Sequence, residues 1–360
     1  MSLTAITTLS RRELADLLGE LGEPQYRADQ VLTWIYRRYA TSFSQMTDLS
    51  HDLRSRLEER LVVRSVSRVR EETADDGETT KVVLRLADGQ TIETVLMLYA
   101  PGDDQKARRT VCVSTQVGCP IGCPFCATGQ GGFVRNLSAG EIVEQVLYFA
   151  GRLAEKRGNR SAAEAPITNV VFMGMGEPLL NFDATWTAVE LLNARTGFGL
   201  GARHITISTS GVVPGIQRLA AESLQVGLAI SLHAASNELR DRLVPLNRRY
   251  PLEKLLQACR DYARATGRRV TYEYAMIDHV NDSLGAARDL ARLLHGQLCH
   301  VNLIALNRVE GTPYAPTPPR RILAFERELQ RLGIPVTIRS SRGGGVQAAC
   351  GQLRHTTSGG

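Results

Sequence analysis

Apolar positions recur at helical spacing over the first sixty residues and at strand spacing soon afterwards, and that change of period divides the chain. Between residues 10 and 60, Ser10 and Glu13 form a capping-box pattern, and the run ADQVLTWIYRRY carries Val31, Leu32, Ile35 and Tyr36 on one helical face. After a polar break, TDLSHDLRSRLEERL predicts a further amphipathic helix, so residues 1–63 read as a small helical unit. Next, KVVLRLADGQTIETVLMLY alternates over two runs around Ala87, Asp88 and Gly89, the signature of a β-hairpin in a connector over 64–98.

Beyond residue 99 the pattern becomes strand, loop, helix, repeated. TVCVST, ITNVVFMG, HITISTS, QVGLAISLH, RVTYEYAMI, CHVNLIALN and PVTIRS are apolar strand runs. Between them, Ser138 and Glu141 cap the helix EIVEQVLYFAGRLAEK, and helical patterns cover 183–194, 251–266, 284–295 and 321–332. EKRGNRSAAEAPI reads as a surface loop. Near-continuous apolar strands alternating with helices imply an α/β fold with a parallel sheet covered on its outer face, and about six units suggest a full or partial barrel over 99–342. Residues 343–360 are left as a loop and tail.

The unusual residues cluster at the carboxyl ends of these strands: Gly174 to Pro178, Ser208 to Gly211, Ser231 to His233, and Asn307. In a barrel those ends meet at one mouth, where ligands bind. The first barrel strand runs into VGCPIGCPFCATGQGGF, which sets Cys119, Cys123 and Cys126 at C-x3-C-x2-C spacing. Thiolates hold iron-sulfur clusters, and a cubane has four irons that each need an outer ligand. Three cysteines therefore leave one iron open, free to bind a small molecule such as S-adenosylmethionine (SAM) through an amine and a carboxylate. A structural zinc site would call for a second pair of Cys or His ligands at similar spacing, and the sequence has none. Within GMGEP the glycines allow a ligand close to the backbone and Glu177 can accept from an ammonium; the plainer reading is a tight turn. Ser208, Ser231 and Asn307 suit a carboxylate or ribose, or are turn residues. His233 is either a cofactor contact or a satisfied core histidine.

Composition adds three points. The 360 residues are 43% hydrophobic, with no apolar run long enough to span a membrane and no signal-peptide pattern at the start, which points to a cytoplasmic protein. A net charge of +6, with arginine pairs at 37/38, 108/109, 248/249, 268/269 and 320/321, favours a polyanionic partner, although some of these pairs are solvated faces. Seven cysteines in such a chain fit metal or redox chemistry better than a disulfide framework. Cys259 and Cys299 read as buried small hydrophobes, and burial also explains Cys112. Cys350 follows the last strand in SSRGGGVQAACGQL, a glycine-rich loop of small residues, and is a candidate nucleophile.

Taken together, CPIGCPFCATGQGGFVRNL, VVFMGMGEPLLN, ITISTSGVVP, LAISLHA, DHVNDS and AACGQL resemble the RlmN-type radical SAM RNA methyltransferases, a family shared with the Cfr-type resistance methyltransferases. The resemblance implies a partial (β/α)6 TIM-like barrel behind an RNA-binding helical domain. It implies methylation of adenosine C2 in 23S rRNA and in the tRNA anticodon loop, with Cfr-type C8 methylation as the alternative. By the same resemblance, Cys119, Cys123 and Cys126 hold a 4Fe-4S cluster, and Gly176, Glu177, Ser208, Ser231, Leu232, His233 and Asn307 contact SAM, two molecules of which are used per turnover. Cys350 becomes the methyl carrier, Cys112 its resolving partner, and Glu93 the proton acceptor, although the residues alone make Glu93 a surface carboxylate. Flavodoxin or ferredoxin as electron donor and a monomeric state complete that expectation. Two other classes remain open: a radical enzyme acting on a small molecule or peptide, and a non-enzymatic RNA-binding protein.

Overall fold

The computed structural model describes residues 3–74, 77–101, 107–156, 167–339 and 346–354. The amino-terminal unit comprises β1 (Thr4–Ala5), α1 (Arg11–Glu20), α2 (Tyr26–Tyr36), α3 (His51–Glu58) and β2 (Leu61–Val62). The anticipated capping box at α1 is made: Glu13 donates its amide to Ser10 Oγ at 3.2 Å, and Ser10 returns one to Glu13 Oε2 at 2.7 Å. Val31, Leu32, Ile35 and Tyr36 are all buried, as their spacing requires. Strands β1 and β2 pair in parallel and close the unit on itself.

Four strands follow: β3 (Ser67–Thr73), β4 (Thr79–Arg85), β5 (Thr91–Tyr99) and β6 (Arg108–Cys112). The chain then forms β7 (Gln116–Gly118), α4 (Ala127–Gln130), β8 (Phe133–Asn136), α5 (Ala139–Lys156), β9 (Asn169–Phe172), α6 (Phe182–Asn193) and β10 (Ile205–Thr209). The remainder is α7 (Val213–Ala221), β11 (Gly227–Ser231), α8 (Asn237–Leu243), α9 (Leu252–Thr266), β12 (Val270–Met276), α10 (Leu284–Leu294), β13 (Cys299–Ala305), α11 (Pro319–Arg331) and β14 (Val336–Arg339).

One ten-stranded sheet, in the order β14-β13-β12-β11-β10-β9-β6-β5-β4-β3, carries the barrel. From β6 to β14 every neighbouring pair is parallel, and β5, β4 and β3 extend the β6 edge antiparallel. Strands β14 and β3 are the two edges, so the barrel is partial, and the hairpin continues its sheet. Strand residues such as Phe172, Ile207, Ile230, Tyr274 and Leu303 are fully or almost fully buried, which is why the strands read as apolar runs.

Besides the short β1, β2, α4, β7 and β8, three longer elements carried too weak a pattern to be anticipated. Helix α7 contains Pro214 and Gly215, ordinarily breakers; the proline falls in the first turn, where its missing N–H is harmless, and a Cβ on Gly215 would meet Leu179 Cβ at 2.7 Å. Strand β3, SRVREET, is largely exposed and owes its form to pairing with β4. Helix α8 is only seven residues long.

The helical unit is fastened to the barrel through α5. Glu144 is fully buried and accepts from Thr7 Oγ1 at 2.5 Å, the Ser65 amide at 2.7 Å and the Val66 amide at 3.0 Å. One carboxylate thus serves both ends of the unit. The expected surface loop at 155–167 lies mostly outside the described residues, as does the boundary drawn at 342/343.

Candidate active site

Strand β6 ends at Cys112, and the chain then passes Ser114 and Gln116 into the hairpin β7–β8 that brackets the three cysteines. Ser114 Oγ accepts the Met175 amide at 2.8 Å and donates to the Glu93 carbonyl at 2.6 Å, while Gln116 Oε1 accepts the Glu177 amide at 2.8 Å. These bonds stack the GMGEP loop directly on the cysteine segment. The approach is close enough that a Cβ on Gly174 would lie 2.7 Å from Ser114 Oγ, and one on Gly176, at φ +101°, 2.6 Å from Gln116 Cβ. Packing between two loops accounts for the glycines, and Gly176 also faces the mouth cavity.

That cavity, of about 180 Å³, is lined by Cys119, Cys123 and Cys126, by Gly176, Glu177, Ser208, Ser231, His233 and Asn307, and by Cys350. Nearly all the residues anticipated for the cluster and cofactor therefore converge on one space. Leu232 is the exception, because its side chain is wholly buried in the core and lines no part of the cavity. Glu177 is buried and already engaged: Ser210 donates its amide (2.7 Å) and hydroxyl (2.6 Å) to Oε2, and the Leu179 amide (3.1 Å) reaches Oε1. Burial raises its pKa and the Ser210 bonds oppose that shift. His233 combines both earlier readings. It lines the cavity at φ +59° with its ring edge-on to Phe125, and Nδ1 accepts the Ala275 amide at 3.0 Å. Burial and the nearby Arg240 push its pKa down to about 3, so the ring is neutral with Nδ1 as acceptor.

The donor set suits an iron-sulfur cluster. Burial, and then neighbouring negative groups, push the Cys119 thiol up to about 12 and Cys123 well above its usual range, so a strongly positive partner is needed to hold them as thiolates. Among the described residues no three His, Cys, Asp or Glu side chains lie close enough to share one metal ion. Cluster thiolates each bind a different iron, and so stand further apart than ligands of a single ion.

Cys350 is held by a strap. Ala127 and Thr128 of α4 donate to the carbonyls of Gly351 (2.8 Å) and Leu353 (2.5 Å), Asn307 Nδ2 to that of Cys350 (3.2 Å), and the Arg354 amide to Glu93 Oε2 (3.0 Å). Cys350 is exposed and also lines a second cavity of about 50 Å³ together with Cys112, Val95 and Met97. Burial raises the Cys112 thiol, and charge on Cys350 further opposes its ionisation. Glu93 is 4% exposed, which corrects its reading as a surface carboxylate: β5 lies inside the sheet between β4 and β6, and the strap covers it. Cys259 and Cys299 are buried as anticipated.

Sequence reasoning missed Arg240, Glu273, Arg339 and Lys81. Glu273 on β12 lines the main cavity and pairs with Arg339 at 3.5 Å; its only sequence signal is an acid inside the apolar run VTYEYAM. Arg240, in NELRDRL, looks like a surface residue but is fully buried. It donates to the carbonyls of Leu232 (3.1 Å), Ser210 (2.6 Å) and Ser231 (3.2 Å), tying two strand-end loops together. Arg240→Met should leave those carbonyls unpaired and lower the unfolding free energy by about 3 kcal/mol, read from the shift in urea midpoint. Among the arginine pairs, Arg37 holds the carbonyls of Arg195 and Phe198, and Arg321 pairs with Asp278 and Asp282, so both are structural.

Comparison with known proteins agrees with this geometry. Residues 113–291 match the family model "Radical SAM superfamily" and residues 4–63 match "Ribosomal RNA large subunit methyltransferase N-terminal domain". Fold and site together define a radical SAM methyltransferase. The chain is 49% identical over 346 residues to a "Probable dual-specificity RNA methyltransferase RlmN" of Moorella thermoacetica, covering 95% of each chain, and 46% identical over 354 residues to a "Ribosomal RNA large subunit methyltransferase N" of Nitrosopumilus maritimus, covering 98% and 99%. A crystal structure of a radical SAM methyltransferase from Sphaerobacter thermophilus superposes with a TM-score of 0.92 at 52% identity, covering 98% of this chain and 99% of that one. The chain belongs to the RlmN family.

Proposed function

We propose that this protein methylates C2 of an adenosine in 23S rRNA and of one in the tRNA anticodon loop, through a methyl group carried on Cys350. The observation that carries this reading is the shared cavity of Cys112 and Cys350, which adjoins the space lined by the three cluster cysteines. A cluster enzyme acting on a small molecule would leave the pairing of Cys112 with Cys350 unexplained. Adenine C2 is an electron-poor carbon without an acidic proton, so simple displacement from a sulfonium does not reach it.

Cys119, Cys123 and Cys126 would hold the 4Fe-4S cluster. Gly176, Glu177, Ser208, Ser231, His233 and Asn307 would hold SAM, with Leu232 contributing through its backbone. When bound, cluster and SAM supply the methyl group and the radical that activates it, drawing on two SAM molecules per turnover and an electron from a flavodoxin or ferredoxin. Cys350 would accept the methyl and present the activated carbon to C2, creating a protein–RNA crosslink whose ring radical would give up one electron, which the bound cluster would take back. Glu93, buried on β5 two residues before the cavity-lining Val95, accepts the C2 proton. The Cys112 sulfur then attacks the Cys350 sulfur and breaks its bond to the methylene carbon, which takes up the Cys112 thiol proton, so that a disulfide forms and the methylated RNA is released.

RNA would be held in part by the amino-terminal unit. A groove of about 920 Å³ between α2 and α5 is lined by Trp34, Arg38 and Tyr39 beside the structural Arg37, and the Arg38 guanidinium lies 4.2 Å from the Trp34 ring centroid. Cationic groups beside aromatic faces suit a nucleic-acid strand. No helix among the described residues is long and apolar enough to cross a membrane; action in the cytoplasm by a monomer is part of the proposal.

The test is reaction of anaerobically reconstituted protein with methyl-labelled SAM and an rRNA fragment, followed by nucleoside mass spectrometry. The label is expected in 2-methyladenosine. Label in 8-methyladenosine would replace this reading with the Cfr-type one, and 5′-deoxyadenosine formation that leaves the RNA unlabelled would overturn both.

A further inference from the structure

Lys81 has no part in the reaction as described, yet it is 4% exposed on β4. Its Nζ lies 3.3 Å from Glu93 Oε1 on β5 and 3.3 Å from Glu72 Oε2 on β3. A buried ammonium is costly unless it is paired on several sides, and this one has carboxylates on both. Strand register explains how they meet. Glu72 stands opposite Lys81, Lys81 opposite Val95, and Val95 opposite Cys112, so one row crosses the sheet from its outer edge to the proposed resolving thiol. Residues directly opposite share a face, and Glu93 is two residues from Val95 on that same face. Val95 lines the cavity of Cys112 and Cys350, and Glu93 lies beyond it under the Arg354 amide. At the far end of the row, the Glu72 side chain is 34% exposed.

We propose that Lys81 is a positioning residue for Glu93 and, with Glu72, the route by which the proton taken from RNA leaves the closed site. This rests on the reading that Glu93 accepts the C2 proton. As the C2–H bond breaks, its electron pair stays with the ring and an O–H bond forms on Glu93. The Lys81 ammonium gives a proton to the Glu72 carboxylate and takes the one on Glu93. Lys81 and Glu93 return to their starting charges, and Glu72 releases the proton to solvent; no oxidant or reductant is involved. Glu93 faces Lys81 from β4, Arg70 from β3 and the Arg354 amide from the strap, while Glu72 meets Lys81 and is also paired with Arg70 at 3.4 Å. Burial raises its pKa and Lys81 is the strongest opposing influence. Removing Lys81 therefore leaves Glu93 protonated to a higher pH, and the acid limb of any step that needs its carboxylate moves upward.

The experiment uses reconstituted full-length protein and an rRNA fragment in single turnover over roughly pH 6 to 9. Cys350 methylation is read by intact mass and crosslink resolution on denaturing gels, for Lys81→Met, Glu72→Gln and Glu93→Gln. Lys81→Met is expected to keep Cys350 methylation, to slow resolution about a hundredfold and to shift its acid limb upward. Glu72→Gln, a change on an exposed edge, is expected to slow resolution by a smaller factor without altering RNA binding. If Glu93→Gln stalls while the other two resolve at the wild-type rate with an unshifted limb, the relay is wrong and the Glu93 reading stands. Should Glu93→Gln itself resolve normally, both fall. If Lys81→Met fails to methylate Cys350, Glu72→Gln decides alone, and a wild-type rate there overturns the relay.

Discussion

Cys112→Ala is expected to trap the protein covalently on its RNA, whereas Cys350→Ala forms no crosslink at all. The difference follows from where the two thiols stand. Cys350 lines both cavities, exposed toward the space of the three cluster cysteines, and is placed to carry carbon to the RNA. Cys112 is 7% exposed and lines only the smaller cavity, where the neighbour it can attack is Cys350. With Cys350 gone, methylated RNA should fall at least about a thousandfold, about 4 kcal/mol of barrier, while SAM cleavage continues. With Cys112 gone, product should fall by a similar factor, but radiolabelled RNA should migrate with the protein on a denaturing gel. Free RNA in both lanes would sink the methyl-carrier reading.

Gly118→Ala should empty the cluster site without touching a ligand. Gly118 ends β7 at φ +75°, and a Cβ there would lie 1.9 Å from the Gly132 carbonyl oxygen, the same atom that accepts the Cys119 amide at 2.7 Å. The obstacle is backbone, which cannot rotate away as a side chain would. The left-handed φ adds about 1 kcal/mol for alanine, and the clash brings the total to roughly 3 kcal/mol. If that strain is relieved by parting β7 from β8, cluster affinity falls about a hundredfold. Gly122 provides the control, since its φ of +71° is similar but nothing lies within 4 Å of its would-be Cβ. Gly122→Ala should lose iron affinity less than tenfold. Iron content after anaerobic reconstitution measures both, and equal retention by the two variants would show that the β7–β8 contact does not shape the site.

Local patterns made much of this protein legible. Capping residues at Ser10 and Ser138, the apolar faces of α2 and α5, and the strand runs all report short-range periodicity, and the helices appear within a few residues of their expected positions. The cysteine spacing is equally local. What eluded the sequence was decided by neighbours distant in the chain. Strand β3 has no apolar alternation of its own, and Arg240 looks like one more helix-surface arginine until three carbonyls from two loops surround it.

The sequence by itself determined the succession of the barrel's strands and of most of its helices, the spacing of the three cysteines and the family, because each depends on residues close together in the chain or on a shared motif. Tertiary structure alone decided the rest. Sheet pairing set β5 between β4 and β6, which buried Glu93 and gave it Lys81 as a partner. The strap from Val346 to Arg354 brought Cys350 beside Cys112, across a separation no periodicity encodes. The physical reason is that burial and charge pairing depend on which strands become neighbours, and that choice is made by the whole core.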